Sequence, residues 1–194
     1  MLHTFAVYVD NKPGVLSRVV SLFRRRAFNI DSLTVGRTEK PEVSRMTIVC
    51  DAPDQAANRI RASLYKLEDV VEVDDIGRAP SVNRELALIK VAATANSRSG
   101  IFELAEVFRA RIVDLAPESL MIEITGVESK IEGLIQVLNE TENRVIEVCR
   151  SGKMTMRRGH HLKGVLRAMG AGEPDPVPTP QPLETAPDHF ADNI

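Results

Sequence analysis

The residues best suited to chemistry in this 194-residue chain lie together near its start, in Asp10-Asn11-Lys12-Pro13-Gly14-Val15-Leu16. Asn11 carries an amide that both donates and accepts. Pro13 has the fixed φ that suits the first turn of a helix, and its missing N–H costs nothing there. Gly14, with no Cβ, lets another molecule approach the backbone closely. A helix opening at this point presents N–H groups with no partner inside the helix, and a partial positive charge. Such an end suits a carboxylate or a phosphate. The stretch reads as a pocket for a small anion-bearing molecule. Its bland alternative is a tight strand–helix turn, since Asn and Gly are common turn residues.

The flanking residues supply the elements that position this loop. Before it, Thr4–Val9 alternates, with Phe5, Val7 and Val9 on one side of a strand. After it, Val15, Leu16, Val19, Val20 and Phe23 recur at helical spacing. Asn29–Val35 is a second strand, 38–42 a turn, and Val43–Cys50 a third strand and hairpin partner of the second. Asp51–Pro53 starts a helix carrying Ala57, Ile60, Leu64 and Leu67, and Val70–Ile76 closes the unit as a fourth strand. The order β-α-β-β-α-β is the split βαβ pattern of ferredoxin-like folds.

The pattern then repeats. Glu85–Ala93 is a strand, Ile101 to Phe108 a helix, and Ile112–Leu115 with Leu120–Thr125 a hairpin around Pro117. Ile131 to Leu138 forms the next helix and Val145–Val148 the last strand. The expected class is α+β, two tandem βαββαβ domains. Their boundaries are 1–77, a linker at 78–83, and 84–160. The second copy lacks the Asn-Lys-Pro-Gly loop. Residues 161–194 are expected as a tail, with a short helix at Leu162–Met169 and then a Pro-rich stretch that cannot build a core.

Composition narrows the function. The chain is 43% hydrophobic and 27% charged with a net charge of −2, an ordinary balance that argues against non-specific nucleic-acid binding. No apolar run approaches the roughly 18 residues of a membrane span, and no signal peptide is visible. The two cysteines, Cys50 and Cys149, are expected as buried reduced thiols in a cytoplasmic setting. Arg24-Arg25-Arg26 complements a helix C-terminus, and His160-His161 has no nearby Cys or further His to complete a metal site. No nucleophile, base and orienting group stand in a recognisable set, so no catalytic residues are expected.

Several segments in register, Asn11–Leu16, Asn29–Val35, Ser44–Ile48, Cys149–Gly152 and Arg158-Gly159, resemble one family. The chain looks like a regulatory (small) subunit of acetolactate synthase, also called acetohydroxyacid synthase, from about residue 2 to about 160. The resemblance implies an N-terminal ACT domain that binds valine or a related branched-chain amino acid as feedback inhibitor. It implies that two ACT domains pair side by side, in a homodimer or larger assembly, with the effector touching both chains. Asn11, Lys12, Pro13, Gly14, Val15 and Leu16 then come from one chain, and Asn29 and Ile30 from the other. It also implies a catalytic (large) subunit as partner, activated by this chain and holding the thiamine diphosphate, magnesium and FAD. This chain itself is expected to hold no cofactor and no metal.

The residues fit a valine zwitterion. Open N–H groups near Gly14–Leu16 suit its carboxylate, worth about 0.3–2 kcal/mol from the helix end. The side-chain carbonyls of Asn11 or Asn29, or backbone carbonyls, suit its ammonium. Ile30, Val15 and Val35 are candidates for an apolar slot. The surface that meets the catalytic subunit is assigned to the C-terminal domain, with Arg150–Gly159. Two other classes compete. An RNA-binding sheet needs aromatics and a basic face, whereas this chain has 4% aromatics and no Trp. An ACT-containing transcriptional regulator needs a helix-turn-helix, and none is visible.

Overall fold

The computed structural model describes residues 1–77, 79–140 and 144–159, which lie in one compact unit, Met1–His161. The expected tail, with its helix and His160-His161, falls outside the described residues.

The first half runs β1 (Leu2–Asp10), α1 (Val15–Arg25), β2 (Ile30–Arg37), β3 (Val43–Asp51), α2 (Asp54–Leu64) and β4 (Val70–Asp75). Its antiparallel sheet has the order β2-β3-β1-β4, which leaves β2 at an edge. Phe5, Val7 and Val9 face the helices together with Met46, Ile48, Cys50 and Val73. Helix α1 meets them with Val15, Val19, Leu22 and Phe23, a spacing that puts all four on one stripe. It ends at Arg24-Arg25, where cations suit the dipole, and Ala27 turns the chain away in the left-handed region at φ 55°. The stripe differs from the one expected. Leu16 and Val20 are exposed and Leu22 is buried, because a stripe carrying Val15 and Phe23 passes through position 22 rather than 16.

The second half runs β5 (Ser81–Ala92), α3 (Arg98–Val107), β6 (Arg111–Ala116), β7 (Ser119–Gly126), α4 (Glu128–Glu140), β8 (Val145–Arg150) and β9 (Met154–Arg157). Its sheet order is β6-β7-β5-β8, and Ile89, Val91, Leu120, Ile122 and Ile124 pack on Ile101, Ile131, Leu134 and Leu138. Both halves are therefore ferredoxin-like βαββαβ units in tandem. Cys149 corrects an expectation, since it is exposed and only Cys50 is buried. Cys149 stands opposite Leu88, and that row of the sheet faces away from the helices that bury Ile89 and its neighbours.

Strand β9 was not expected. It pairs with Ser81–Arg84, so β5 begins inside the stretch read as a linker. Residues of the β9 ribbon lie against the helix-free face of the first sheet. Arg45 of β3 donates to the Thr155 carbonyl, Lys153 Nζ lies 3.3 Å from Thr4 Oγ1, and Arg157 binds Asp74 of β4. This cover explains why polar Thr4, Thr47, Glu72, Asp74 and Thr155 are buried: they sit on a second covered face and need polar partners there.

Candidate functional site

The loop between β1 and α1 is pinned from two sides. Asn11 donates its backbone N–H to the Glu42 carbonyl at 2.7 Å and its side-chain Nδ2 to the Pro41 carbonyl at 2.9 Å. Both acceptors lie in the β2–β3 turn. That bond uses one of the two amide N–H donors and orients the side chain, whose Oδ1 is its acceptor. From the other side, Asp10 N–H donates to the Asp69 carbonyl at 2.9 Å, and Arg18 Nε and Nη2 reach Asp69 Oδ2 at 2.7 and 2.6 Å. Lys12 Nζ lies 2.6 Å from Asp10 Oδ2, and that contact raises the lysine's pKa above its ordinary value.

Gly14 is the residue before the helix, at φ 83° and ψ −11°, a left-handed conformation that side chains other than Gly rarely adopt. A Cβ there would lie 3.3 Å from Arg18 Nη1. Pro13 stands outside the helix, in the turn before Gly14, so its stiff φ shapes the loop rather than the first helical turn. The first helical bond runs from Arg18 N–H to the Gly14 carbonyl, and no side chain caps the end. The amides of Leu16 and Ser17 precede that bond and form the donor end expected of an anion site. Gly14, Leu16, Ser17, Val20, Ser21 and Arg24 line a hollow of about 460 Å³ beside it. Val15 is 3% exposed in the core and so has no side chain to offer a ligand, whereas Leu16 and Val20 do.

Asn29 and Ile30 lie elsewhere. Ile30 pairs with Cys50, which pairs with His3, whereas the Asn11 loop follows Asp10, which pairs with Val43. Seven residue steps along β3 separate those two rows, about 23 Å at the rise of a strand. Within one chain the two groups of predicted residues occupy opposite ends of the sheet and form no common pocket. Asn29 Nδ2 donates to Asp31 Oδ1 at 3.0 Å, and β2 bulges between Ile30 and Ser32.

A seam of polar contacts along β2 escaped the sequence reading. Lys153 N–H donates to Ser32 Oγ at 3.0 Å, and Thr34 Oγ1 lies 3.4 Å from the Lys153 carbonyl. Gly152, at φ 78°, has no room for a side chain: a Cβ would stand 2.7 Å from Ser32 Oγ and 3.1 Å from Thr34 Cγ2. The stretch Arg150–Gly159 is thus largely engaged within the chain, although Met154 and Met156 stay exposed. The adjoining cavity, about 390 Å³, is lined by Asp31, Ser32, Glu85, Arg150 and Lys153 among others. Among the described residues no group of three or more His, Cys, Asp or Glu is placed to hold a metal ion, and no helix is long and apolar enough to cross a membrane.

Comparison with known proteins agrees with this layout. The family description "AHAS small subunit-like ACT domain" matches residues 5–72, and "Small subunit of acetolactate synthase" matches 84–159. A probable acetolactate synthase small subunit of Archaeoglobus fulgidus is 48% identical over 160 residues, 82% of this chain and 99% of that protein. The acetolactate synthase small subunit of Mycobacterium bovis is 48% identical over 157 residues, 81% of this chain and 92% of that one. The crystal structure of the acetolactate synthase small subunit of Thermotoga maritima, 40% identical, superposes with a TM-score of 0.75 over 83% of this chain and 99% of that one.

Proposed function

We propose a function from one premise: this chain belongs to the acetolactate synthase small-subunit family. It is a non-catalytic subunit that binds the catalytic subunit, raises its activity and makes it subject to feedback inhibition by valine or a related branched-chain amino acid. Residues 1–77 take the effector, and the second domain begins with β5 at Ser81. Thiamine diphosphate, magnesium and FAD reside on the catalytic subunit. The setting is the cytoplasm, where free Cys50 and Cys149 stay reduced.

The placement of the two half-sites carries this reading. Strand β2 is an edge, and edge strands are templates for pairing. Antiparallel pairing of two β2 strands about their middle sets the Ile30 end of one beside the Arg37 end of the other. Arg37 pairs with Ser44, at the same end of the sheet as Asn11. A second copy would thus bring Asn29 and Ile30 to the open end of α1. The helix end receives the carboxylate, Asn11 Oδ1 and Asn29 receive the ammonium, and Ile30 with Leu16 encloses the isopropyl group. Burying that group contributes roughly 1.5–3 kcal/mol, which after association costs gives micromolar to millimolar affinity. Valine then biases the population of dimer arrangements, and through it the catalytic subunit.

Reconstitution tests the proposal. The chain alone should form no acetolactate from pyruvate, should raise the activity of added catalytic subunit, and should render it valine-sensitive. Sedimentation should show a dimer or larger species. Activity in a preparation free of catalytic subunit, or a monomer that still binds valine, would overturn it.

A further inference from the structure

We propose that the Ser151–Lys153 loop is the strap through which effector occupancy at the start of β2 reaches the C-terminal domain; this rests on the effector reading above. The contacts form a connected series. Asn29 donates to Asp31 Oδ1 at 3.0 Å, Asp31 sits at the bulge between Ile30 and Ser32, and Ser32 Oγ accepts the Lys153 N–H at 3.0 Å. An effector ammonium that draws Asn29 Oδ1 towards itself turns the side chain whose Nδ2 holds Asp31, and so acts directly on the bulge. Bulges are where a strand changes twist and re-aims its side chains.

The far end of the strap is tied to the second domain. Ser151 N–H donates to the Leu86 carbonyl at 2.9 Å, and Ser151 Oγ accepts from Leu86 N–H at 3.0 Å. Arg150, next in line, binds Glu132 of α4 at 2.5 Å and faces Glu85 of β5 at 3.7 Å. Among the described residues, β9 is hydrogen-bonded to β3 and β4, through Arg45 and Asp74. The edge strand is hydrogen-bonded to the second domain at Lys153, beside Gly152, so a shift of β2 is felt at that loop while the bonds of β9 to β3 and β4 hold. Gly152 fits this use because any side chain would drive the loop off Ser32 and Thr34.

The test separates binding from transmission. Ser32→Ala removes the acceptor and Gly152→Ala pushes the loop away. Valine binding is followed by calorimetry on the chain, inhibition on the reconstituted enzyme, and amide exchange at residues 150–153 with and without valine. Ser32→Ala should bind valine as wild type does and still stimulate the catalytic subunit. At saturating valine, its ratio of inhibited to active enzyme should fall by about fivefold, the effect of one lost coupling hydrogen bond. The valine-dependent exchange change at 150–153 should shrink with it. Gly152→Ala should do more, and Ser32→Ala decides the matter if that variant does not fold. Full inhibition in folded Ser32→Ala with valine bound overturns the strap. Loss of binding together with inhibition also overturns it, by placing Ser32 in the effector site. Wild-type chain that binds no valine sinks the effector reading itself, and the strap with it.

Discussion

Arg157 grips Asp74 with both ends of its guanidinium: Nε lies 2.7 Å from Oδ2 and Nη2 2.7 Å from Oδ1. The pair joins the last described strand to the edge strand β4, 83 residues earlier. The carboxylate is nearly buried and raises the arginine's pKa further above its ordinary value. Planar bidentate pairing is a match of shape as well as charge, and a lysine cannot reproduce it.

Arg157→Ala should therefore destabilise the chain by about 2–3 kcal/mol, discounted for the partial exposure of the guanidinium. Arg157→Lys should recover less than half of that. Urea unfolding followed by circular dichroism gives the numbers. A loss below about 0.5 kcal/mol, the size of an ordinary surface change, would show that β9 is held by something else.

Gly14→Asp should abolish valine inhibition while leaving stimulation of the catalytic subunit largely intact. The left-handed backbone penalises a side chain by roughly 1–2 kcal/mol. The new Cβ also stands 3.3 Å from Arg18 Nη1, so the carboxylate competes with Asp69 for that arginine. A carboxylate at the helix end repels the effector's own by roughly 1–4 kcal/mol, or about tenfold to a thousandfold in affinity. Asn11→Ala should act in the same direction but about fivefold only, since it removes hydrogen bonds without adding charge. The check is a valine titration of reconstituted enzyme, and an unchanged midpoint in folded Gly14→Asp would move the site elsewhere.

The cysteines should differ sharply. Burial pushes the Cys50 thiol up to about 11, whereas Cys149 is exposed. At pH 8 the Cys50 thiolate is then about 0.1% of the total, so native protein should lose one thiol to an alkylating reagent and denatured protein two. A folded pKa above the unfolded one favours the native state at low pH. That contribution is complete below the usual thiol range and fades as pH rises towards 11. Cys50→Ala should flatten the alkaline decline in urea midpoint, and two fast-reacting thiols in native protein would contradict the buried placement.

Much of the fold was legible because both sheets bury one face against helices, and alternation in β1, β3 and β5 reports such burial directly. Strand β9 was not legible. Met154–Arg157 is four residues long, and its partner, Ser81–Arg84, has the polar composition of a connector. Only their pairing and the covered sheet beneath make them strands. At the loop, Asn11, Gly14 and the open helix end were visible from residue type. The core position of Val15 and the exposure of Leu16 depend on how α1 is rotated, which a run of adjacent apolar residues leaves ambiguous.

The 23 Å between the Asn11 loop and Asn29 has a genetic consequence. On the proposed pairing, each dimer has two effector sites, and each site draws one half from either chain. A chain altered at Gly14 and a chain altered at Asn29 would each fail as homodimers. Mixed together, they form hybrids in which one site collects both damaged halves and the other collects both sound ones. Two alleles that are separately valine-resistant should therefore complement each other and restore partial sensitivity when co-expressed. Two alleles damaged at the same end should not.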